Sequence, residues 1–221
     1  MTNSEIRNTE RLRRKLLQLS AIVEETTRRS VIAFRQRDRA AASEIIRIDD
    51  EINEMEIAVE EDCIALLEEA SHPVGEVRAI VAVLKINSDL ERIADLATNI
   101  ARRVLDLGFH EQAPFPPELL RLADRTIEMV TGSLDSLAQL DPLLARRICA
   151  MDEEVDTLNR GMYLVVKERI ASDAAQTEML INFLSISRYL ERIADYATNI
   201  AENVVFIGEG SIIRHQHHSH D

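Results

Sequence analysis

The sequence predicts an all-α chain of two tandem, internally repeated antiparallel three-helix bundles, six long helices in all. Three observations predict it. Leu, Ile, Ala, Arg and Glu dominate the 221 residues, while aromatic residues make up 4% and Gly and Pro number 6 and 5, a balance that favours helices over strands. Twelve residues occur twice with one difference: Leu90–Ala101 reads LERIADLATNIA and Leu190–Ala201 reads LERIADYATNIA, 100 positions later. A second pair, DDEIN at Asp49–Asn53 and DEEVD at Asp152–Asp156, recurs 103 positions apart in the same order. The chain therefore reads as a tandem duplication.

Caps and breakers place the elements. The first helix is expected over 4–36, and Asp38 caps a second over 38–70. Pro73 and Gly75 open a third over 74–107, after which GFHEQAPFPP, residues 108–117, is the only evident linker. A fourth helix follows over 116–139, a fifth over 142–171 behind Asp141 and Pro142, and a sixth over 174–207 behind Asp173. The chain then divides into a first bundle over 1–108, a linker over 109–117, a second bundle over 118–208 and a disordered His-rich tail over 209–221.

Apolar residues step by three and four along each helix, as in a bundle seam. The third helix carries Val83, Ile86, Leu90, Ile93, Ala97, Ile100 and Val104, and the sixth Phe183, Ile186, Leu190, Ile193, Ala197, Ile200 and Val204. The second follows Ile45, Ile48, Ile52, Met55 and Val59, and the fifth Ile148, Met151, Val155, Leu158, Met162 and Val165. The fourth reads Leu120, Ala123, Ile127, Val130, Leu134 and Leu137.

Composition excludes several function classes. A net charge of −13 opposes general nucleic-acid binding. No run of eighteen apolar residues predicts a membrane span and no charged-then-apolar leader predicts export, so a cytosolic location without direct membrane insertion is expected. Cys63 and Cys149 occupy unrelated places in the two halves and read as reduced, packed thiols. No Gly-rich phosphate loop, nucleophile motif or evident acid and base pair argues for an enzyme. Residues 1–40 hold 10 Lys and Arg against 5 Asp and Glu, whereas residues 41–70 hold 1 against 11. The basic first helix should attract the acidic second, within the chain or between copies as a salt-sensitive route to a homodimer.

The polar stripe is the candidate site. Glu91, Asp95 and Asn99 return as Glu191, Asp195 and Asn199, each set at i, i+4, i+8 on one line of a helix that faces away from the bundle core. Asp49 and Asn53 in the first half, and Asp152 and Asp156 in the second, border the seam of the preceding helix and could share a groove with that line. Oxygen donors without His or Cys suit hard cations, so divalent or trivalent iron, manganese or magnesium is favoured over zinc. An Arg-rich protein surface is the rival partner for such a stripe, and Arg92 and Arg192 beside it could pair locally. Because Asn53 is neutral where Asp156 is charged, the second site is expected to bind a cation more tightly. His215, His217, His218 and His220 in the tail could chelate softer metals, while His72 and His110 fall in loops.

These residues resemble a known family. ERIADxATNIA in two copies, each preceded by Dxx[IV][ND] on the previous helix, is similar to the PhoU family of bacterial phosphate-signalling regulators over about residues 5–208. One departure is Ala94 and Ala194, where that family commonly has Gly. The resemblance implies two three-helix bundles and a non-enzymatic cytosolic regulator that links the phosphate ABC transporter ATPase to a phosphate-sensing histidine kinase. It also implies that such a regulator keeps the starvation response off when phosphate is plentiful. The resemblance also implies multinuclear metal sites on Glu91/Asp95 and Glu191/Asp195 with Asp49/Asn53 and Asp152/Asp156 on the facing helices. A metal-storing or metal-sensing bundle and a purely structural helical adaptor stay open as alternatives.

Overall fold

The computed structural model describes residues 3–68, 73–106 and 114–213, with side chains from residue 10 onward. The side chain of Arg7, His72, the expected last residue of the third helix at 107, residues 108–113 with His110, and the tail histidines lie outside the described residues. The helices are α1 (Asn3–Gln36), α2 (Arg39–Leu67), α3 (Val74–Asp106), α4 (Pro117–Gln139), α5 (Pro142–Cys149), α6 (Asp152–Ser172) and α7 (Thr177–Glu209), with a 3-10 turn at Ala174–Gln176. No strand occurs among the described residues. None of the helices is long and apolar enough to cross a membrane.

Local chemistry sets the ends. The Asp38 carboxylate accepts from the backbone N–H groups of Ala40 and Ala41 at 2.9 and 3.0 Å, and Asp141 does the same for Leu143 and Leu144 at 2.9 and 3.1 Å. Each satisfies two donors that a helix N-terminus leaves open. Asp173 caps the 3-10 turn rather than α7 itself, accepting from Ala175 N–H at 3.0 Å. Helix α7 runs on to Glu209 and stops where Gly210 adopts φ 73°, a left-handed conformation that glycine takes without Cβ strain.

Helices α1, α2 and α3 form one bundle, and α4, α5 with α6, and α7 form the other. The two bundles meet along α3 and α7, while α1 also touches α4. Contacts between α3 and α7 run antiparallel: Arg78 lies 5.6 Å from the Phe206 ring, Arg92 lies 5.8 Å from the Tyr196 ring, and Arg103 donates to Asn182 at 3.4 Å. With copies offset by 100 positions, the pseudo-twofold axis passes beside Arg92 and Arg192. A layer of α2, α3, α7 and α5 with α6 results, backed by α1 and α4.

One continuous apolar core joins both halves. The rings of Phe34 of α1, Phe115 before α4 and Phe183 of α7 pack in tilted and edge-to-face contacts at centroid separations of 4.6, 5.2 and 6.3 Å and tie the linker end to both bundles. The basic first helix does meet the acidic second inside the chain: Arg11 and Lys15 pair with Asp62 at 2.7 and 2.6 Å, and Arg29 pairs with Glu44 at 2.7 Å.

Three expectations need correction. The fifth helix is interrupted at Ala150 and Met151, so that 142–171 becomes α5 and α6, and Asp152 opens a new helix with Glu153 and Glu154 in its first turn. At the break, Met151 N–H turns to the Ile148 carbonyl at 3.0 Å, an i to i−3 bond that tightens the turn. The seam of α6 then closes on Val166 rather than Val165. Along α4, Leu120 and Ile127 are half-buried while Leu119, Leu122, Thr126, Met129 and Ser133 are buried, because this helix packs on α1 as well as on its own bundle. The hydroxyls of Ser133 and Ser136, and of Ser20, Thr27 and Ser30 on α1, donate to carbonyls of their own helices, so these polar side chains are satisfied in the core.

Candidate metal centre

Each half builds a groove between its second and third helices, because the seam residues that pin those helices together fix the phase of the neighbouring carboxylates. In the first half the groove lies between α2 and α3. The Thr98 hydroxyl donates to Asp49 Oδ1 at 3.1 Å, and the Asn87 amide donates to the Glu56 carbonyl at 2.9 Å and to Glu56 Oε1 at 3.0 Å. In the second half, between α6 and α7, Thr198 donates to Asp152 Oδ1 at 3.2 Å and Ser187 donates to Asn159 Oδ1 at 2.6 Å. The threonine support is the same in both halves, while Asn87 and Ser187 occupy the same repeat position with different side chains. These bonds hold the groove's outer oxygens in place before any cation arrives.

Asp156, Glu191 and Asp195 each offer one carboxylate oxygen, and these oxygens lie within 4.8 Å of one another. A hard cation with oxygen ligands at about 2.0 to 2.6 Å keeps ligand oxygens no farther apart than roughly 5 Å. The donor set and its spacing thus fit such an ion. Burial first, then Glu191, Asp152 and Asp156, push the Asp195 carboxyl up to about 7, against the pull of Arg192. Its outer side remains open to water, so protein volume on the inner side and three neighbouring carboxylates set the shift. Glu191 is raised by burial and then by Asp156, with Arg188 and Arg192 opposing. Carboxylates that resist losing their protons together are groups that a cation would stabilise as anions.

The first half is milder. Asp95 is raised by burial and by Asp49, with Arg102 opposing, and Glu91 by burial, Asp95 and Glu56. Asp49, Glu91 and Asp95 are near enough to raise one another, but among the described residues only the second groove brings three carboxylates within 4.8 Å; Asn53 stands at the register position of Asp156. The asparagines of the stripe have hydrogen-bond partners within their own helices. Asn99 Oδ1 accepts from Arg102 at 3.0 Å, and the Asn199 carbonyl accepts from the Asn203 side chain at 2.8 Å.

Two features escape the motif pattern. Glu56 falls seven residues after Asp49 and supplies the first groove with a fourth carboxylate, so the neutrality of Asn53 does not leave that groove one charge short. Its counterpart Asn159 is neutral, so helix phase rather than repetition was the only signal. Thr98 and Thr198 are repeated and polar, and their retention beside the seam was the available signal. A charge difference remains at another position: Arg102 beside the first groove is Glu202 in the second.

Comparison with known proteins places this architecture. A sequence model of the PhoU domain matches residues 16–104 and again residues 119–204, one match per bundle. The phosphate-specific transport system accessory protein PhoU homolog of Pseudomonas aeruginosa is 31% identical over 207 residues, covering 93% of this chain and 86% of that protein. Its counterpart from Aquifex aeolicus is 30% identical over 210 residues, with 94% of each chain covered. Among solved structures, PhoU from Pseudomonas aeruginosa superposes with a TM-score of 0.90 at 30% identity, covering 96% of this chain and all 100% of the other. The phosphate transport system regulatory protein PhoU from Streptococcus pneumoniae superposes with a TM-score of 0.80 at 29% identity over 92% of this chain and 96% of its own. With both halves matched by the domain and the whole fold shared, this chain belongs to the PhoU family.

Proposed function

We propose that this chain is a non-enzymatic regulator of phosphate transport, a helical scaffold whose two carboxylate grooves hold metal ions and whose surface joins a phosphate ABC transporter to a phosphate-sensing histidine kinase. Its relatives named as phosphate-specific transport system accessory proteins support the transport role. In this reading the protein works in the cytosol, associates with the membrane through its partners, and keeps the starvation response off when phosphate is plentiful. Homodimers are part of the proposal.

The observation that carries the metal reading is the doubled groove, with Thr98 on Asp49 and Thr198 on Asp152 as matching supports. Asp49, Glu56, Glu91 and Asp95 would hold cations in the first groove, and Asp152, Asp156, Glu191 and Asp195 in the second. Bound ions would supply positive charge that locks the third helix of each bundle against the second. Their all-oxygen donor set favours iron, manganese or magnesium over zinc.

Deletion of the chain in its host, with a phosphate-starvation reporter read in phosphate-rich medium, tests the regulatory role. The reporter should turn on, and complementation by the wild-type chain should silence it. A reporter that stays off after deletion contradicts the proposal. A metal-storing protein would instead change cellular metal content and leave the reporter silent.

A further inference from the structure

Tyr196 is the single departure within the twelve-residue repeat, where the first copy has Leu96. Leu96 is buried, at 4% exposure. Tyr196 keeps its ring partly buried against the core, and its hydroxyl meets two cations at the pseudo-twofold axis. Arg92 of α3 donates to that oxygen at 3.4 Å, and Arg192, one turn back on α7, donates to it at 3.5 Å. Both guanidinium groups are exposed. Among the described residues, neither lies within 4.0 Å of a carboxylate as an ion pair.

The donor count decides what this trio can bind. A phenol oxygen has one proton and two acceptor positions, and a guanidinium has only donors. With the two arginines directed at its acceptor positions, the Tyr196 hydroxyl has only its proton left to offer. The trio therefore presents one O–H, the remaining guanidinium N–H groups and no acceptor, from two helices related by a twofold axis. A ligand with acceptors on every side matches it, and arginine meets such groups with paired, charge-assisted hydrogen bonds. We propose that Arg92, Arg192 and Tyr196 form a binding site for a tetrahedral oxyanion, set on the pseudo-twofold axis between the two carboxylate grooves.

The surrounding field opposes an anion. Glu91 and Asp89 flank Arg92, and Glu191 and Asp195 flank Arg192. Cations in the grooves would offset those charges, so the test supplies magnesium, the one element that rests on the metal reading above.

Equilibrium dialysis of the full chain against radiolabelled inorganic phosphate, at mildly alkaline pH with excess magnesium, reads the site directly. Bound magnesium is measured in the same samples. One phosphate per chain, displaced by sulfate, is expected. Arg92→Gln with Arg192→Gln should weaken binding about tenfold or more, and Tyr196→Phe several-fold, with helicity, melting temperature and bound magnesium unchanged. Phenyl phosphate in place of phosphate separates the two sources of this chemistry: tighter binding of the free ion identifies a free oxyanion as the ligand, and tighter binding of the ester identifies a phosphoryl group. Absence of phosphate binding by the wild-type chain, whatever its magnesium content, overturns the proposal. So does equal binding by the double glutamine variant, which would put the phosphate on groove-bound magnesium instead.

Discussion

The Thr198 hydroxyl donates a 3.2 Å hydrogen bond to Asp152, the residue that opens α6 directly after the helix break. This bond joins α7 to the first turn of α6 and orients a carboxylate at the edge of the Asp156, Glu191 and Asp195 cluster. Removing it while keeping the shape should loosen the carboxylate without emptying the core. Thr198→Val is expected to lower cation affinity of the second groove about tenfold and stability by about 1 kcal/mol. Titration calorimetry beside thermal melts checks both, and an unchanged affinity would mean that cation binding does not depend on the Thr198 bond.

Arg102 and Glu202 make the two grooves unequal. Arg102 opposes the upward shift of the Asp95 carboxyl and donates to Asn99, whereas the corresponding position in the second half is acidic. The second groove should bind a divalent cation more tightly, and Arg102→Ala should raise the affinity of the first several-fold. Glu56→Gln should lower it. Equal affinities in the wild-type chain would contradict this reading.

The pH dependence of stability follows from Asp195. Its carboxyl is raised from 3.8 to about 7, so between those values the folded chain keeps a proton that the unfolded chain releases. Stability of the metal-free protein should fall as pH rises through this window and stay low above it. Because water screens the open side of the carboxyl, the loss should be on the order of 1 kcal/mol. Asp195→Asn should flatten the slope and raise the melting temperature of the metal-free chain at pH about 8, while weakening cation binding. Melts across pH in the presence of a chelator supply the measurement.

The continuous core makes the halves interdependent. Phe34 of the first bundle packs on Phe115 and on Phe183 of the second. Phe34→Ala should cost about 3 to 5 kcal/mol and lower the melting temperature of both halves together. Calorimetry is expected to give one transition, and two resolved transitions would mean that each bundle folds alone.

Much of this was legible because the repeat kept its phase. Seam residues from Ile86 to Val104 fixed the orientation of α3, and with it the meeting of Glu91 and Asp95 with Asp49. Asp38 and Asp141 marked helix starts by short-range chemistry that sequence displays directly. The break at Ala150 and Met151 was not legible, since neither residue is a helix breaker and both backbones stay in the right-handed helical region. The wide buried faces of α3, α4 and α7 escaped for a different reason. A seam reports packing within one bundle, and Leu96 or Ser133 owes its burial to the meeting of two. Tyr196 shows the same limit: its role lies across the twofold axis, where Arg92 arrives from 104 positions away.

The central claim is that the doubled carboxylate grooves are cation sites, and metal analysis of the folded protein tests it most directly. The chain truncated after Ile213, which removes the tail histidines, is compared with the same chain carrying Glu91→Ala, Asp95→Ala, Glu191→Ala and Asp195→Ala. After incubation with iron, manganese or magnesium and desalting, the first should retain metal and the second, with its helicity intact, should retain none. Equal metal in both, or none in either, would contradict the account and leave the stripe as a protein-docking face.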